Sequence, residues 1–289
     1  MTRSHSQFRA ALVQLRCGRS VAPNLAAAEE AVRRAAEGGA DYVLTPENTN
    51  LLELSTKKLF ANTAREDGNP ALERFTGLAG DLGIWLHIGS IAVKLSDEKV
   101  ANRSYLISPD GEIVAHYDKI HMFDVDLPGG ESYRESKNYQ PGNKAVLADL
   151  PWGRLGFSTC YDLRFPALYR TLAHAGADFI TVPSAFTKTT GEVHWHILLR
   201  ARAIETGCYI FASAQGGLHE VGRETYGHSL IVTPWGETIA EAGVAPAVIF
   251  ADIDTQRVAE ARARIPSLGH DRPFDVSVPA GGIEIKEAS

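Results

Sequence analysis

Cys160 stands where the apolar stretch 154–159 passes into a predicted helix that Pro166 can begin. Proline is tolerated at a first helical position because it has no N–H to lose there. Backbone N–H groups at a strand-to-helix turn can hold an oxyanion, and together with the helix dipole they favour a thiolate. Cys160 is therefore a candidate nucleophile. The alternative is a buried structural cysteine, since free cysteine is among the most buried residue types.

Two more reactive side chains occupy the same kind of position, at the end of an extended stretch. Glu47 follows the predicted strand 42–45, and Lys119 follows a predicted hairpin over 102–117. Ends of neighbouring strands meet at one edge of a sheet, where active sites of α/β proteins form. A carboxylate whose pKa is raised toward neutrality can take the proton of a thiol, and an ammonium can stabilise an oxyanion. Glu47, Lys119 and Cys160 together therefore predict acyl transfer without histidine, although taken singly most Glu and Lys side chains are solvated surface charges.

The elements that must position these residues alternate between strands and helices, with tight hairpins in between. Single strands are predicted at 8–15, 42–45, 84–93, 179–183, 209–214 and 248–253, hairpins at 102–117, 146–159 and 229–242, and helices at 23–37, 69–83, 166–175, 191–206 and 255–264. This alternation, interrupted by hairpins, predicts an α/β protein with mixed sheets rather than a purely parallel one. We expect one domain over 1–289, with two sheets packed together, helices outside and an irregular tail from about 265.

Composition and charge exclude several classes of protein. The 289 residues are 44% hydrophobic and 22% charged, which is typical of a globular domain with a large core. A net charge of −6 argues against nucleic acid or an anionic membrane as a partner, because either would need a basic face. No apolar run approaches transmembrane length, and residues 1–10 lack the apolar core of a signal peptide. The cysteines are odd in number and widely spaced, which favours a reducing compartment, so we expect a cytoplasmic protein.

Residues 120–144 predict a long loop, and loops of that length in a compact domain are usually functional. Within it, residues 124–135 imitate four positions of a calcium-binding EF-hand loop, but Pro128 stands where a side-chain oxygen is needed. His194 and His196 are two residues apart on a predicted helix, so they point to different faces, whereas zinc helices use a spacing of four. These patterns therefore predict no metal site.

Three motifs in order resemble the signature of the nitrilase, or carbon-nitrogen hydrolase, superfamily: Thr45-Pro46-Glu47, Tyr117-Asp118-Lys119-Ile120-His121 and Cys160-Tyr161-Asp162-Leu163-Arg164-Phe165. The resemblance covers nearly the whole chain, from Phe8 to the strand at Val248. It implies a four-layer α-β-β-α sandwich that forms a homodimer or higher homo-oligomer across helices near the cysteine.

The same resemblance implies a role for each motif residue. Glu47 is the general base, Lys119 stabilises the tetrahedral intermediate and Cys160 forms a thioester. Such enzymes carry a second glutamate in the loop after the lysine, which positions the catalytic groups. Glu135, sixteen residues after Lys119, stands where relatives of this type have it.

Within the superfamily, the sequence is similar to the omega-amidase and deaminated-glutathione amidase branch. The matching stretches are Lys119 to Gly129, Pro183 to Phe186, Thr190-Gly191, His194-Trp195, Leu198 to Ala203 and Tyr226 to Ser229, with Arg200 to Thr206 and Ala214-Gln215 leaning toward deaminated-glutathione amidase. The likeness implies a cofactor-independent amidase. Its partners are water and a small carboxylated amide, such as deaminated glutathione or alpha-ketoglutaramate, cleaved through a thioester with release of ammonia.

Three residues near the cysteine are candidates for substrate binding. The Tyr161 backbone N–H is expected to hold the oxyanion with Lys119. A planar guanidinium suits a carboxylate, and in similar amidases an arginine at the offset of Arg164 contacts the substrate carboxylate. Thr190 is matched to a second such contact. The alternative for Arg164 is a structural ion pair, with Asp162 or at a dimer interface.

Two other functions use the same residues differently. A nitrilase or an N-carbamoyl amino acid hydrolase would apply the same triad to another C–N bond. A non-catalytic interaction or redox-sensing protein could retain the fold, but the intact Glu-Lys-Cys set argues against that class.

Overall fold

A computed structural model of the protein describes residues 6–128 and 130–277. Its strands are β1 (Gln7–Gln14), β2 (Tyr42–Leu44), β3 (Trp85–Lys94), β4 (Val100–Ile107), β5 (Ile113–Asp118), β6 (Asp124–Asp126), β7 (Ser132–Arg134), β8 (Leu147–Leu150), β9 (Gly153–Phe157), β10 (Phe179–Thr181), β11 (Tyr209–Ala212), β12 (Gly216–Leu218), β13 (Glu224–Tyr226), β14 (Leu230–Val232), β15 (Thr238–Glu241) and β16 (Ala247–Asp254). The α-helices are α1 (Val21–Glu37), α2 (Thr56–Asn62), α3 (Pro70–Leu82), α4 (Pro166–His174), α5 (Lys188–Thr206) and α6 (Gln256–Arg264).

Two six-stranded sheets share one plan. The first has the order β16-β1-β2-β3-β4-β5 and the second the order β15-β14-β11-β10-β9-β8. In each sheet three central strands are parallel, β1-β2-β3 and β9-β10-β11. The strands outside them are antiparallel and come from hairpins, except β16, which pairs with β1 from far along the chain. The mixed sheets predicted from the interrupted alternation are therefore confirmed.

The two sheets pack against each other and carry helices on their outer faces. Helices α1 and α3 bury their apolar sides on the first sheet, and α4 and α5 bury theirs on the second. Between the sheets lies an aromatic layer to which both contribute, with Phe8 and Tyr42 from the first and Phe179 and Phe211 from the second. This is the expected four-layer α-β-β-α sandwich, and burial of these large side chains is its main source of stability. Among the described helices, none is long and apolar enough to cross a membrane.

Helix ends agree with the sequence where the local signals are strong. Asn69 precedes α3 and its side chain accepts the N–H of Ala71 at 3.0 Å, while Pro70 takes the first helical position. Gly83 ends the helix with a φ of 63°, a left-handed conformation that glycine adopts without the penalty of a Cβ. Caps are local features, so their sequence pattern is enough to place them.

Four predictions need correction. The loop 120–144 contains the small hairpin β6–β7 and a 3-10 turn over Glu135–Lys137. A second small hairpin, β12–β13, was not predicted, because strands of three residues show no alternating pattern. Helix α5 begins at Lys188, three residues before the predicted start at 191. Between Cys160 and α4 the chain makes a separate 3-10 turn over Cys160–Arg164.

In the predicted tail, Ser267–His270 form a 3-10 turn and 271–277 are irregular, while the remainder lies outside the described residues.

Candidate active site

Glu47, Lys119 and Cys160 meet at one end of the two sheets. They follow β2, β5 and β9, so the first two come from one sheet and the cysteine from the other. The Lys119 Nζ donates to Glu47 Oε1 at 2.9 Å, and Cys160 lines the same cavity as Glu47 and Lys119. All three side chains are buried. The convergence inferred from their positions at strand ends is thus present in the fold.

Glu135 joins this group from the hairpin that replaces the predicted loop. It follows β7 directly, and its carboxylate accepts both from Lys119 Nζ, at 2.8 and 3.1 Å, and from the Phe123 N–H at 2.7 Å. Lys119 is therefore held between two carboxylates. The sequence position of Glu135 alone could not show this, because it depends on how β6 and β7 fold back over the end of the sheet.

Asn102, which sequence reasoning did not single out as a site residue, links the two glutamates. Its Nδ2 donates to Glu47 Oε1 at 2.9 Å and to Glu135 Oε1 at 3.2 Å. The second oxygen of Glu47 accepts the backbone N–H of Ala185 at 2.7 Å. An amide inside the otherwise largely apolar start of β4 is the signal that could have marked Asn102. With these donors the Glu47 carboxylate has one fixed orientation.

The charges of the site oppose the effect of burial. Burial would lower the pKa of Lys119, but the charges of Glu135 and Glu47 hold it well above its usual value. Burial would raise the pKa of Glu47, but the charge and hydrogen bond of Lys119 bring it below its usual value. Burial and the Glu47 charge raise the pKa of the Cys160 thiol. The resting site is therefore an ammonium, a carboxylate and a neutral thiol.

Two sequence-based ideas about these protonation states are wrong. The pKa of Glu47 is lowered rather than raised toward neutrality, because Lys119 is in contact with it. The turn does not favour a thiolate at Cys160, because burial and the adjacent carboxylate outweigh it. Glu47 is instead already ionised, a state in which a carboxylate can accept a proton.

A network around Asp162 shapes the turn that carries Cys160. Cys160 has a φ of 49°, which a non-glycine residue adopts only when the surroundings hold it. One oxygen of Asp162 accepts the N–H of Thr159 at 2.8 Å and the hydroxyl of Tyr117 at 2.6 Å, and the other accepts the N–H of His121 at 3.0 Å. Asp162 therefore fastens the nucleophile turn to the strand that leads to Lys119.

Two of the three predicted substrate-binding residues line a small pocket next to Cys160. Tyr161 and Thr190 both line it, and the Thr190 hydroxyl is hydrogen-bonded to that of Thr187 at 2.8 Å. The Tyr161 ring packs edge-on against Phe123. These contacts bring two of the three predicted residues to the wall of one pocket.

Arg164 is not paired with Asp162, so that alternative is wrong. Its guanidinium lies over the Phe186 ring at 5.3 Å and within 3.3 Å of His194 Nδ1. Burial and the Arg164 charge lower the pKa of His194. Within the described part of the chain Arg164 has no carboxylate partner. Its charge is therefore available to an anion.

A cavity of about 370 Å³ opens on the catalytic group and contains a residue that sequence reasoning missed, Arg223. Arg223 lies in the turn between β12 and β13, stacks over the Tyr133 ring at 4.9 Å and donates to the backbone oxygen of Ala185. A second cavity, of about 270 Å³, is apolar, lies around Trp235 and Leu268, and shares no described lining residue with the cavity that contains Cys160.

Two sequence patterns were considered as metal sites, the EF-hand-like stretch 124–135 and the pair His194 and His196. Neither brings its own side chains together around one point in the described structure. Asp126 faces Arg134 and Glu135 faces Lys119, so the oxygens of 124–135 do not converge. His196 instead meets two residues far along the chain. Its Nε2 lies 2.9 Å from Glu241 Oε1, and His228 Nδ1 lies 3.0 Å from the same oxygen, a group that could hold an ion. These hydrogen bonds already account for the cluster, and the absence of a metal stays a prediction.

The sandwich fold, with a buried cysteine, glutamate and lysine around one cavity at its end, defines a cysteine-dependent hydrolase of the nitrilase type. The sequence matches the carbon-nitrogen hydrolase family over residues 9–263, and the chain belongs to that family, whose members act on C–N bonds.

Relatives and solved structures agree with this family. The deaminated glutathione amidase of Yersinia enterocolitica is 41% identical over 272 residues, which cover 93% of this chain and 94% of that protein. The human protein of the same name is 38% identical, covering 86% of this chain and 78% of its own length.

The NitFhit protein of C. elegans superposes with a TM-score of 0.86 at 35% identity, over 93% of this chain and 66% of that one. An amidase from Nesterenkonia sp. has a TM-score of 0.77 at 28% identity, over 92% and 97%. In a mutant of that amidase, acrylamide adds to the active-site cysteine.

Proposed function

We propose that this enzyme hydrolyses the amide bond of a small carboxylated amide, either deaminated glutathione or an omega-amide such as alpha-ketoglutaramate, through a thioester on Cys160. The observation that carries the proposal is that buried Cys160 lines one cavity with Glu47, whose carboxylate is held by Lys119 and the Ala185 N–H. A nucleophile next to an oriented base is the arrangement that acyl transfer requires.

In the first half-reaction the Cys160 sulfur attacks the amide carbon while its proton passes to Glu47. The amide oxygen becomes an oxyanion, which Lys119 and the Tyr161 N–H stabilise. Glu47 then gives the proton to the departing nitrogen as the C–N bond breaks. The leaving group is ammonia from a primary amide or an amine from a substituted one. The acyl group remains on Cys160 as a thioester.

In the second half-reaction water attacks the thioester carbon and Glu47 takes a proton from it. Collapse of the intermediate breaks the C–S bond, releases the carboxylic acid and restores the thiol of Cys160. No external oxidant or reductant is needed. Glu135 and Asn102 act as positioning residues, because they hold Lys119 and Glu47 without facing the reacting carbon.

The preference for a carboxylated amide rests on the charge near the nucleophile and on the relatives. Arg164 has no acidic partner among the described residues and stacks on Phe186, which lines the pocket beside Cys160. A guanidinium can hold a carboxylate through two parallel hydrogen bonds. Thr190 lines the same pocket and offers a hydroxyl. The relatives named deaminated glutathione amidase cover most of this chain.

We further propose a homodimer that works in the cytoplasm. Helix α5, close to the nucleophile turn, exposes Val193, Ile197 and Ile204, which are 57%, 70% and 56% accessible. Large apolar side chains clustered on one exposed helix mark an interaction surface. Cys17, Cys160 and Cys208 are all buried without a disulfide, which suits a reducing compartment.

The test is a substrate panel assayed with the purified enzyme: deaminated glutathione, alpha-ketoglutaramate, a nitrile and an N-carbamoyl amino acid, with product acid and ammonia measured. We expect turnover of one or both of the first two, and loss of several orders of magnitude in Cys160→Ala. The matched control is Cys208→Ala, whose thiol contacts the backbone oxygen of Ala177 away from the site. If only the nitrile or only the carbamoyl compound were turned over, the enzyme would be a nitrilase or an N-carbamoyl amino acid hydrolase instead. Residual activity above about a hundredth in Cys160→Ala would overturn the mechanism.

A further inference from the structure

Two histidines and a glutamate meet beside helix α5, outside the pockets next to the nucleophile. His196 Nε2 and His228 Nδ1 lie 2.9 and 3.0 Å from the same oxygen, Glu241 Oε1, and the three possible ligand atoms all lie within 4.8 Å of one another. Their side chains are 34%, 26% and 38% exposed, so an ion can reach them from solvent. Among the described residues that line the two pockets beside Cys160, none belongs to this cluster.

The three side chains come from three elements that are fixed to one another. His196 lies in α5, His228 lies in the turn between β13 and β14, and Glu241 ends β15. His228 has a φ of 53°, which a non-glycine residue keeps only when its surroundings hold it. Its N–H donates to the Gly243 oxygen at 2.9 Å, and its own oxygen accepts the indole N–H of Trp195 at 2.8 Å. The backbone contacts therefore hold the His228 imidazole next to His196 and Glu241.

The cluster offers the donor atoms and the charge that a transition-metal cation needs. In the described part of the chain Glu241 forms ion pairs with the two imidazoles and with no lysine or arginine. The Tyr226 ring stacks on His228 at 4.3 Å and meets the His196 ring edge-on at 5.8 Å, so both imidazoles have a fixed orientation. Two imidazole nitrogens and one carboxylate oxygen are a ligand set that proteins use for Zn²⁺.

We propose that His196, His228 and Glu241 form a zinc site, with water as the fourth ligand. Ligand atoms about 2.0–2.2 Å from a tetrahedral zinc ion lie roughly 3.3–3.6 Å from one another. The two contacts to Glu241 are a few tenths of an ångström shorter than this, so small rotations of the side chains admit the ion. The ion takes the place of the N–H protons that face Glu241, and each imidazole then carries its one proton on the other ring nitrogen.

This zinc is structural and takes no part in the reaction at Cys160. It joins α5 to β15 and to the turn of His228, which hydrogen bonds already hold together without an ion. The prediction of no metal from the sequence considered His196 only together with His194, on the same helix. The ligands of the proposed site meet through the fold instead, from positions 32 and 45 residues further along the chain (228 − 196 and 241 − 196).

The experiment measures Zn²⁺ binding in Cys160→Ala, which removes the thiol of the catalytic cavity as a competing ligand. The metal-free protein, without an affinity tag, is titrated with Zn²⁺ against a chromophoric chelator. We expect one tight site per chain, and an affinity at least about tenfold weaker when His196→Gln or His228→Asn is added, since even outer partners of metal ligands contribute this much. Asparagine tolerates the left-handed conformation of residue 228. His174→Gln is the control, because His174 contacts Asp271 outside the cluster, and it should bind Zn²⁺ like the parent.

Two further measurements use the intact cluster and do not depend on the folding of a variant. Co²⁺ in place of Zn²⁺ should give the intense visible absorption of a tetrahedral site. Excess Zn²⁺ should raise the Tm of the Cys160→Ala protein, because a ligand that binds only the folded chain stabilises it. Failure of Cys160→Ala to bind Zn²⁺, a Co²⁺ spectrum typical of octahedral coordination, or unchanged affinity in His196→Gln would overturn the proposed site.

Discussion

At the scale of single residues, the site depends on one buried ammonium shared by two carboxylates. Moving these charges out of water costs free energy, and only close contacts return it. Lys119 makes such contacts with Glu47 and Glu135, at 2.8 to 3.1 Å. The arrangement keeps Glu47 ionised, and in the proposed mechanism it also supplies the positive charge that stabilises the oxyanion. Its value is therefore in catalysis rather than in net stability.

Glu135→Gln tests this arrangement. The amide keeps the shape of the side chain but removes one of the two negative charges on Lys119, so Lys119 and Glu47 lose their fixed geometry. We expect kcat to fall about 100-fold with little change in KM, the size of effect that a small misplacement of catalytic groups produces. Steady-state kinetics on the best substrate measure it. Glu131→Gln, at an exposed glutamate of the same hairpin, is the control and should match wild type. Normal turnover in Glu135→Gln would remove Glu135 from the active site.

At the scale of the element, the 3-10 turn over Cys160–Arg164 is held by Asp162, a buried side chain that lines neither of the two pockets beside Cys160. Asp162→Asn replaces one acceptor oxygen with a donor that faces the N–H and hydroxyl groups of its neighbours. We expect at least a tenfold loss of kcat and a loss of about 1–3 kcal/mol in the free energy of unfolding, because buried donors are left unpaired.

The control is Tyr117→Phe, which removes one hydrogen bond from the same carboxylate and leaves the backbone contacts. Kinetics and chemical denaturation should rank this variant between wild type and Asp162→Asn. If Asp162→Asn kept full kcat, the left-handed conformation of Cys160 would not depend on this network.

A buried histidine makes the packing of the two sheets sensitive to pH. His87 in β3 is fully buried, lies 4.8 Å from the Phe157 ring of the opposite sheet and shares a hydrogen bond of 2.8 Å with the Tyr42 hydroxyl. Burial lowers the pKa of His87 to about 3. The unfolded chain takes up this proton near the usual pKa of about 6.5, whereas the folded protein takes it up only near 3. Stability from His87 is therefore present above pH 6.5 and declines as the pH falls toward 3.

His87→Gln should remove this part of the pH dependence. Between pH 6 and pH 4 we expect the wild type to lose about 1.4 kcal/mol of unfolding free energy per pH unit through His87, and the variant to lose correspondingly less. Urea denaturation at pH 4.5, 5.5 and 7 measures the difference. The same slope in both proteins would show that His87 is not neutral in the folded state.

At the scale of the whole molecule, the proposed homodimer would form through the exposed face of α5. Ile197→Glu places a charge in the middle of the apolar stripe formed with Val193 and Ile204. Because burying an unpaired charge at an interface is costly, we expect the wild type to sediment as a dimer and the variant as a monomer. Val114→Glu is the control, since Val114 is exposed on the edge strand β5 and lies outside that stripe. A monomeric wild type, or a dimeric Ile197→Glu, would contradict the proposed interface.

The sequence by itself determined the features that local chemistry controls. The alternation of strands and helices follows from hydrophobic patterning, and the ends of α3 follow from Asn69, Pro70 and Gly83. Glu47, Lys119 and Cys160 could be grouped because each stands at a strand end, and strand ends in a sheet meet at an edge. Glu135 was reached through the family resemblance and not through its own surroundings.

Only the tertiary structure decided which distant groups meet and what charge each one carries. Asn102, the Ala185 N–H and Arg223 join the site from three separate parts of the chain, and no local pattern links them. The hairpins β6–β7 and β12–β13, which bring Glu135 and Arg223 to the cavity, are too short to show a strand period. The charge states of Glu47, which is ionised, and Cys160, which is neutral, also depend on the tertiary structure. A pKa depends on burial and on distances to other charges, and those are set only when the two sheets pack together.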